Sequence, residues 1–218
     1  RGPGVWTVAA AIRVGPTGRV VALDSSEQML RMAGERARTY GMDHVELRAG
    51  DMATLDFPSG SFDAVLSVQG VFFVPDVPAL VAPLWKLGRP GGQLAITTRG
   101  PNALEPAISL WRSAVKAERP DAALTFPWER TDDLEDVRSL LAAAGVPGAE
   151  VELEAHEIAI TTPDDWWIAV RGSAMRRTML DLDDRAAERV RERFDRALRE
   201  QGVWRIALPG IYALARKG

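Results

Sequence analysis

Two short β-branched runs that each end on an aspartate constrain this chain more than any other feature in it. "RVVALD" (19–24) and "HVELRAGD" (44–51) have the length and residue type of buried strands. Between them Met29, Leu30, Ala33, Ala37 and Tyr40 mark the apolar stripe of a helix, opened by a capping box on Ser25 and Gln28 and closed by Gly41. Strand, helix, strand with room for a crossover predicts parallel pairing in a sheet covered on both faces. The pattern continues. "SFDAVLSV" predicts a strand over Phe62–Val68, Pro78 suits the first turn of a helix running to about Leu87, and "GRPGGQLAITT" reads as a tight turn leading into a strand over Gln93–Thr98.

The expected architecture is therefore α/β: a doubly wound, mostly parallel, Rossmann-like sheet. Upstream of the first run, Val5 to Ile12 has helical spacing, begins at two glycines, Gly2 and Gly4, and stops at Gly15-Pro16. Beyond Thr98 the expectation is helices near 104–118 and 132–144, a long strand near 150–161, a tryptophan-bearing helix from 163, a helix at 183–200 and a last strand near 203–216. That last segment, "RIALPGIYALARKG", reads as antiparallel to its neighbour, with Pro209-Gly210 at a bulge or edge. One domain is expected over 1–218, in two halves, 1–98 and 99–218.

Composition narrows the chemistry. With 218 residues, 46% of them hydrophobic, the chain can bury one substantial core. A net charge of −3, spread without blocks of like charge, leaves no footprint for nucleic acid. The absence of cysteine excludes thiol nucleophiles, thiolate metal sites and disulfides, and with two histidines, His44 and His156, no metal site is expected. No apolar run approaches the roughly 20 residues of a membrane span, and no signal peptide is evident, so a cytoplasmic protein is expected. A homo-oligomer is compatible with all of this.

Gly2 and Gly4 stand where backbone can approach a ligand at a helix N-terminus, with free N–H groups and the helix dipole pointing outward. A tight turn without a ligand fits them equally. Asp24 lies twenty positions after Gly4, at the carboxyl end of a strand, where a carboxylate can accept from a ribose diol. Asp51 follows the next strand in the same way, and an ordinary turn residue is its alternative.

Four blocks together resemble the class I S-adenosylmethionine-dependent methyltransferases, in the subgroup of the ubiquinone and menaquinone biosynthesis C-methyltransferases and their small-molecule relatives. They are "GPGVWT", "VVALDSSEQML", "VELRAGDMATLDFPSGSFDAVLS" and "LWKLGRPGGQLAIT", and they cover about 1–98. The resemblance implies that 1–98 binds the cofactor, S-adenosyl-L-methionine with S-adenosyl-L-homocysteine as product, and that 99–218 holds a small-molecule acceptor. It places Gly2 and Gly4 under the methionine part, Asp24 on the ribose hydroxyls, Ser25 and Met29 beside the adenine, and Asp51 on the adenine amine with Met52 as an amide and apolar wall. Ser67 and Gln69 would face the methionine end and the acceptor. Two departures stand out. The family's loop follows a strand and opens with an acid and a further glycine, so that strand is expected upstream of Arg1. In "GVFFVPD", Phe72 and Phe73 occupy positions where relatives often carry histidines.

Methyl transfer from a sulfonium is an in-line displacement with an activated donor, so alignment and exclusion of water supply much of the catalysis and a base is optional. His156 is the imidazole candidate for such a base; it falls where strand alternation slips, predicting a bulge, and a surface histidine fits it as well. Phe73, Trp128 and Trp166 are candidates for the acceptor pocket wall. Trp166 and Trp167 point apart on a helix, so one is expected at the pocket and one in the core. Two other readings share these motifs. A nicotinamide-dependent Rossmann reductase also uses a glycine loop and a distant aspartate, although Thr7 stands where its third glycine would be. A catalytically silent methyltransferase-like binding protein would keep the fold without the reaction.

Overall fold

The computed structural model describes residues 4–218, and Gly2 lies outside them. The chain divides into two compact units, Arg1–Ile96 with Leu140–Glu150 and Leu214–Gly218, and Thr97–Ser139 with Val151–Ala213.

The first unit is built on the expected alternation. Helix α1 (Val5–Val14) leads to β1 (Val20–Asp24), α2 (Glu27–Thr39), β2 (Val45–Ala49), β3 (Phe62–Val68), α3 (Val77–Leu87) and β4 (Gly88–Arg99), whose last residues enter the second unit. Strands β1 and β2 pair in parallel, in register from Val20↔Val45 to Asp24↔Ala49. His44 is half-buried and its Nε2 lies 3.0 Å from the Ala11 carbonyl oxygen in the last turn of α1. Helix α3 begins where Asp76 accepts the Ala79 N–H at 2.9 Å, and buries Leu80, Val81, Leu84 and Leu87. At its far end Lys217 Nζ donates to the Gly88 and Trp85 carbonyls at 2.8 and 3.2 Å, a cation placed where the helix leaves acceptors unsatisfied.

Helix α2 starts one residue later than the capping-box reading placed it. Ser26, not Ser25, is the cap, its Oγ accepting the Met29 N–H at 3.3 Å. The cause is Asp24, whose carboxylate takes the Ser26 N–H at 2.8 Å and carries the chain one residue further before the helix begins. Gly4 caps α1 in the left-handed region, at φ 75°, and a Cβ there would lie 2.5 Å from the Ala33 Cα of α2. The close packing of α1 on α2 thus requires glycine whether or not a ligand is bound.

The second unit contains α4 (Ala107–Glu118), most of α5 (Leu134–Ala143), most of β5 (Glu150–Glu154), β6 (Glu157–Ala159), α6 (Pro163–Arg171), α7 (Met175–Leu180), α8 (Asp184–Glu200), β7 (Arg205–Ala207) and most of β8 (Gly210–Arg216). Helix α8 places Ala186, Val190, Phe194 and Leu198 on one buried stripe at helical spacing, packed against α4 with its buried Ile108, Trp111 and Val115. Helix α7 has no counterpart in the sequence expectations.

Strands are hydrogen-bonded in three groups: β1-β2, β3-β4-β8-β5 and β6-β7. The long strand expected near 150–161 is divided at Ala155 and His156, so that β5 joins the four-stranded group while β6 pairs antiparallel with β7. The last strand divides likewise at Leu208-Pro209, where Leu208 N–H donates to the His156 carbonyl at 2.7 Å. Strand β8 runs antiparallel to β4, since Gly91 N–H donates to Lys217 at one end and Gly100 N–H to Pro209 at the other. It lies between β4 and β5, an interior position rather than an edge; Pro209 is tolerated because it precedes the strand, where no ladder N–H is asked of it. Strand β4 begins at Gly88 directly after α3, and the bend expected in "GRPGG" lies within it, at Gly91 with a φ of 74°.

Three outcomes test this packing. Phe194→Ala removes a ring with no exposed surface that stacks on Trp166 at 5.2 Å and meets Trp167 edge-on at 5.5 Å; it should cost about 3–5 kcal/mol in urea unfolding, and a loss under about 1 kcal/mol would contradict the packing. Gly4→Ala should lower the thermal midpoint by several degrees, through strain of about 1–2 kcal/mol and displacement of Ala33, and an unchanged midpoint would refute the close approach. Glu118 is held below the usual carboxylate range, chiefly by its hydrogen bond from Arg189 and then by the charges of Arg189 and Arg193. Its charge therefore stabilises the fold above the unfolded-state carboxylate pKa, and that contribution is lost as pH falls through the depressed folded value. Glu118→Gln should lower stability by a constant amount at neutral and alkaline pH while leaving it unchanged at the acid extreme, so that the acid limb of the profile flattens.

Candidate functional site

The first unit brings the two aspartates to adjoining positions. Asp24 is the carboxyl-terminal residue of β1 and Ala49 is its register partner on β2, and the pairing extends one step further as Gly50 N–H donates to the Asp24 carbonyl at 3.2 Å. Asp51 follows directly. Both carboxylates are oriented by a turn of their own: Asp24 Oδ1 accepts the Ser26 N–H at 2.8 Å, and Asp51 Oδ1 accepts the Ala53 N–H at 2.9 Å. In each case Oδ2 has no hydrogen-bond partner among the described residues. Two short parallel strands thus present two fixed acceptors at the same rim, which is where open α/β sheets bind ligands.

Around this rim the other expected residues of the first unit fall as follows. Ser25 is exposed, and Met29 is half-buried in the first turn of α2. Helix α1 starts without a side-chain cap and without an acidic residue in its first turn, so its N-terminal dipole is uncompensated by the chain's own side chains among the described residues. Met52 and Ser67 converge at Gly70: a Cβ there would stand 3.1 Å from Ser67 Oγ and 3.9 Å from Met52 Sδ. Gln69 links them from the end of β3 with a φ of 52°, a left-handed conformation that costs a non-glycine residue about 1–2 kcal/mol and is concentrated at binding sites. Phe73 is 40% exposed, its ring 4.7 Å from that of the buried Phe72.

Gly50 and Gly70 were not among the expected site residues. Each stands within two residues of a strand's carboxyl end, in "RAGD" and "SVQG", and that position is the signal that could have found them.

The second unit holds the remaining candidates. Trp128 is buried, with Phe126 stacked on it at 4.5 Å and the guanidinium of Arg99 lying 5.0 Å over its ring. It borders a cavity of about 900 Å³ shared with Ile108, Leu124 and the ion pair of Arg112 and Glu129. Asp132 lines the same cavity; burial first, and then the charges of Glu129, Asp133 and Asp136, hold its carboxyl above the usual range. Trp166 does not wall a pocket. It is 1% exposed and stacked on Phe194, and Trp167 is buried against the same ring with its Nε1 donating to Asp195 at 2.9 Å. The expected division of the pair between pocket and core is thus corrected: α8 supplies one large ring, and both indoles pack on it. His156 is exposed and pairs with Glu154 at 3.0 Å. The break it marks is where the strand passes from one sheet to another, which accounts for the slipped alternation without a catalytic role.

Residues 1–92 match the family described as a methyltransferase domain. The chain is 35% identical over 158 residues to nocamycin O-methyltransferase of Saccharothrix syringae, a match covering 68% of this chain and 52% of that protein. It is 39% identical over 98 residues to demethylmenaquinone methyltransferase of Listeria welshimeri, covering 44% of this chain and 42% of the other. The chain therefore spans about half, or less, of the length of these curated relatives. Among solved structures, a Bacillus halodurans protein assigned as a candidate methyltransferase superposes with a TM-score of 0.62 at 19% identity, over 98% of this chain and 89% of that one, and shares its Rossmann-like α/β fold. The first 92 residues thus match a methyltransferase domain, and the chain as a whole shares a Rossmann-like α/β fold with a structure of that kind.

Proposed function

We propose that this protein transfers a methyl group from S-adenosylmethionine to a small-molecule acceptor by in-line displacement. One observation carries the reading: the Gly50 N–H bond to the Asp24 carbonyl, which sets two pre-oriented carboxylates side by side at the rim of the first unit. The residues present fit an adenosyl group. Asp24, with Oδ1 fixed by Ser26, offers Oδ2 to the ribose hydroxyls. Asp51, fixed by Ala53, offers Oδ2 to the adenine amine, while Met29 and Met52 border the ring. The uncapped start of α1, with Gly2 and Gly4, would receive the carboxylate of the methionine part.

The cofactor brings a methyl group already activated on a sulfonium. What remains for the chain is to bind, to align and to keep water away, which suits a rim made of backbone turns and thioethers. Ser67 and Gln69 at the end of β3 would orient the acceptor, with Phe73 covering it. The names of the two relatives, one for nocamycin and one for demethylmenaquinone, both point to small molecules as acceptors. The reading assigns no step to His156, which its Glu154 pair holds on the surface.

Calorimetric titration with S-adenosylhomocysteine should show micromolar binding to the intact chain, and NADH none. Asp24→Ala should weaken the former at least about tenfold, or 1.4 kcal/mol, while the circular dichroism spectrum stays unchanged. Unaltered affinity would remove Asp24 from the ribose, and binding of NADH alone would overturn the methyl-transfer reading.

A further inference from the structure

Arg99 is the carboxyl-terminal residue of β4 and is half-buried in the second unit. A guanidinium in that position normally sits against a carboxylate, because a charge taken from water without a partner is costly. Arg99 makes no ion pair and no hydrogen bond among the described residues. Its contact is with the face of Trp128, which Phe126 backs in turn with its ring only 10° from parallel. The neighbouring arginine of the same unit behaves in the ordinary way, Arg112 pairing with Glu129 while lying 5.3 Å over Phe126. Burial lowers the pKa of Arg99, and no acidic side chain counteracts it.

A guanidinium lying over an indole leaves its N–H donors unused by that contact, and its planar fork suits the two oxygens of a carboxylate or two oxygens of a phosphate. Its place at the end of a strand is the place where ligands enter such sheets. We propose that Arg99, lying over Trp128, is the anchor for an oxyanion, and that the ligand of the second unit carries a carboxylate or phosphate group. This anion site stands on the geometry of Arg99 and is independent of the methyl-transfer reading.

The test follows the Trp128 indole N–H resonance of the ¹⁵N-labelled full chain, assigned with Trp128→Phe, during titration with sodium phosphate and with sodium acetate, against sodium chloride at matched ionic strength. A saturable shift with phosphate or acetate, absent with chloride, is expected; the preferred anion distinguishes the two group types. Arg99→Gln should weaken that binding at least about tenfold. Arg99→Lys, which keeps the charge but not the fork, should weaken it less and decides the matter if the glutamine variant does not fold. Equal shifts with chloride, or unaltered binding in Arg99→Lys and Arg99→Gln, would overturn the proposal. S-adenosylhomocysteine affinity measured on the same samples separates the two failures: it should be unaffected by Arg99→Gln, and its absence in the wild-type chain would sink the methyl-transfer reading while leaving the anion titration to stand or fall by itself.

Discussion

The structure of the site depends on a single backbone pairing. Parallel strands β1 and β2 end together, Asp24 against Ala49, and the Gly50 N–H donated to the Asp24 carbonyl carries the pairing past the end of the sheet. Two residues far apart in the chain thereby become neighbours, and each carboxylate is then aimed by a local turn at no cost to the ladder. A one-residue slip of register would send the flanking side chains to the opposite face of the strand and separate the acceptors. The apolar residues of β1 and β2 that hold this register are the same ones that mark the strands in the sequence.

For that reason the first unit was the more legible one. Strands such as Val20–Asp24 and Phe62–Val68 follow from β-branched runs, α3 from Pro78 and its apolar spacing, and the rim positions of Asp24 and Asp51 from strand ends alone. What escaped was set by contacts beyond the local pattern. Ser26 displaces Ser25 as cap because Asp24 captures its N–H, a competition between a side chain and the helix that spacing does not reveal. Gly4 looks like a ligand-binding glycine, yet Ala33 requires it to be one on packing grounds alone. In the second unit the breaks at His156 and Pro209 come from strands changing partners, and the fate of Trp166 was decided by Phe194, twenty-eight positions away from it in a different helix.

The second unit uses aromatic residues in two ways. In α6 and α8 the indoles of Trp166 and Trp167 are consumed by the core, rigidifying a helix pair rather than touching a ligand. Around Trp128 the rings instead support charge, with Arg99 and Arg112 each lying over an aromatic face and one of the two answered by a carboxylate. The first arrangement stabilises by burial; the second holds cations over aromatic faces, with Arg112 and Trp128 lining a cavity.

The central claim is that Asp24 and Asp51 grip one adenosyl group between them. A crystal structure of the full chain with S-adenosylhomocysteine tests it most directly. The account predicts ribose oxygens within about 3 Å of Asp24 Oδ2 and the adenine amine within the same reach of Asp51; an adenosyl group that touches one carboxylate and leaves the other in solvent would contradict it.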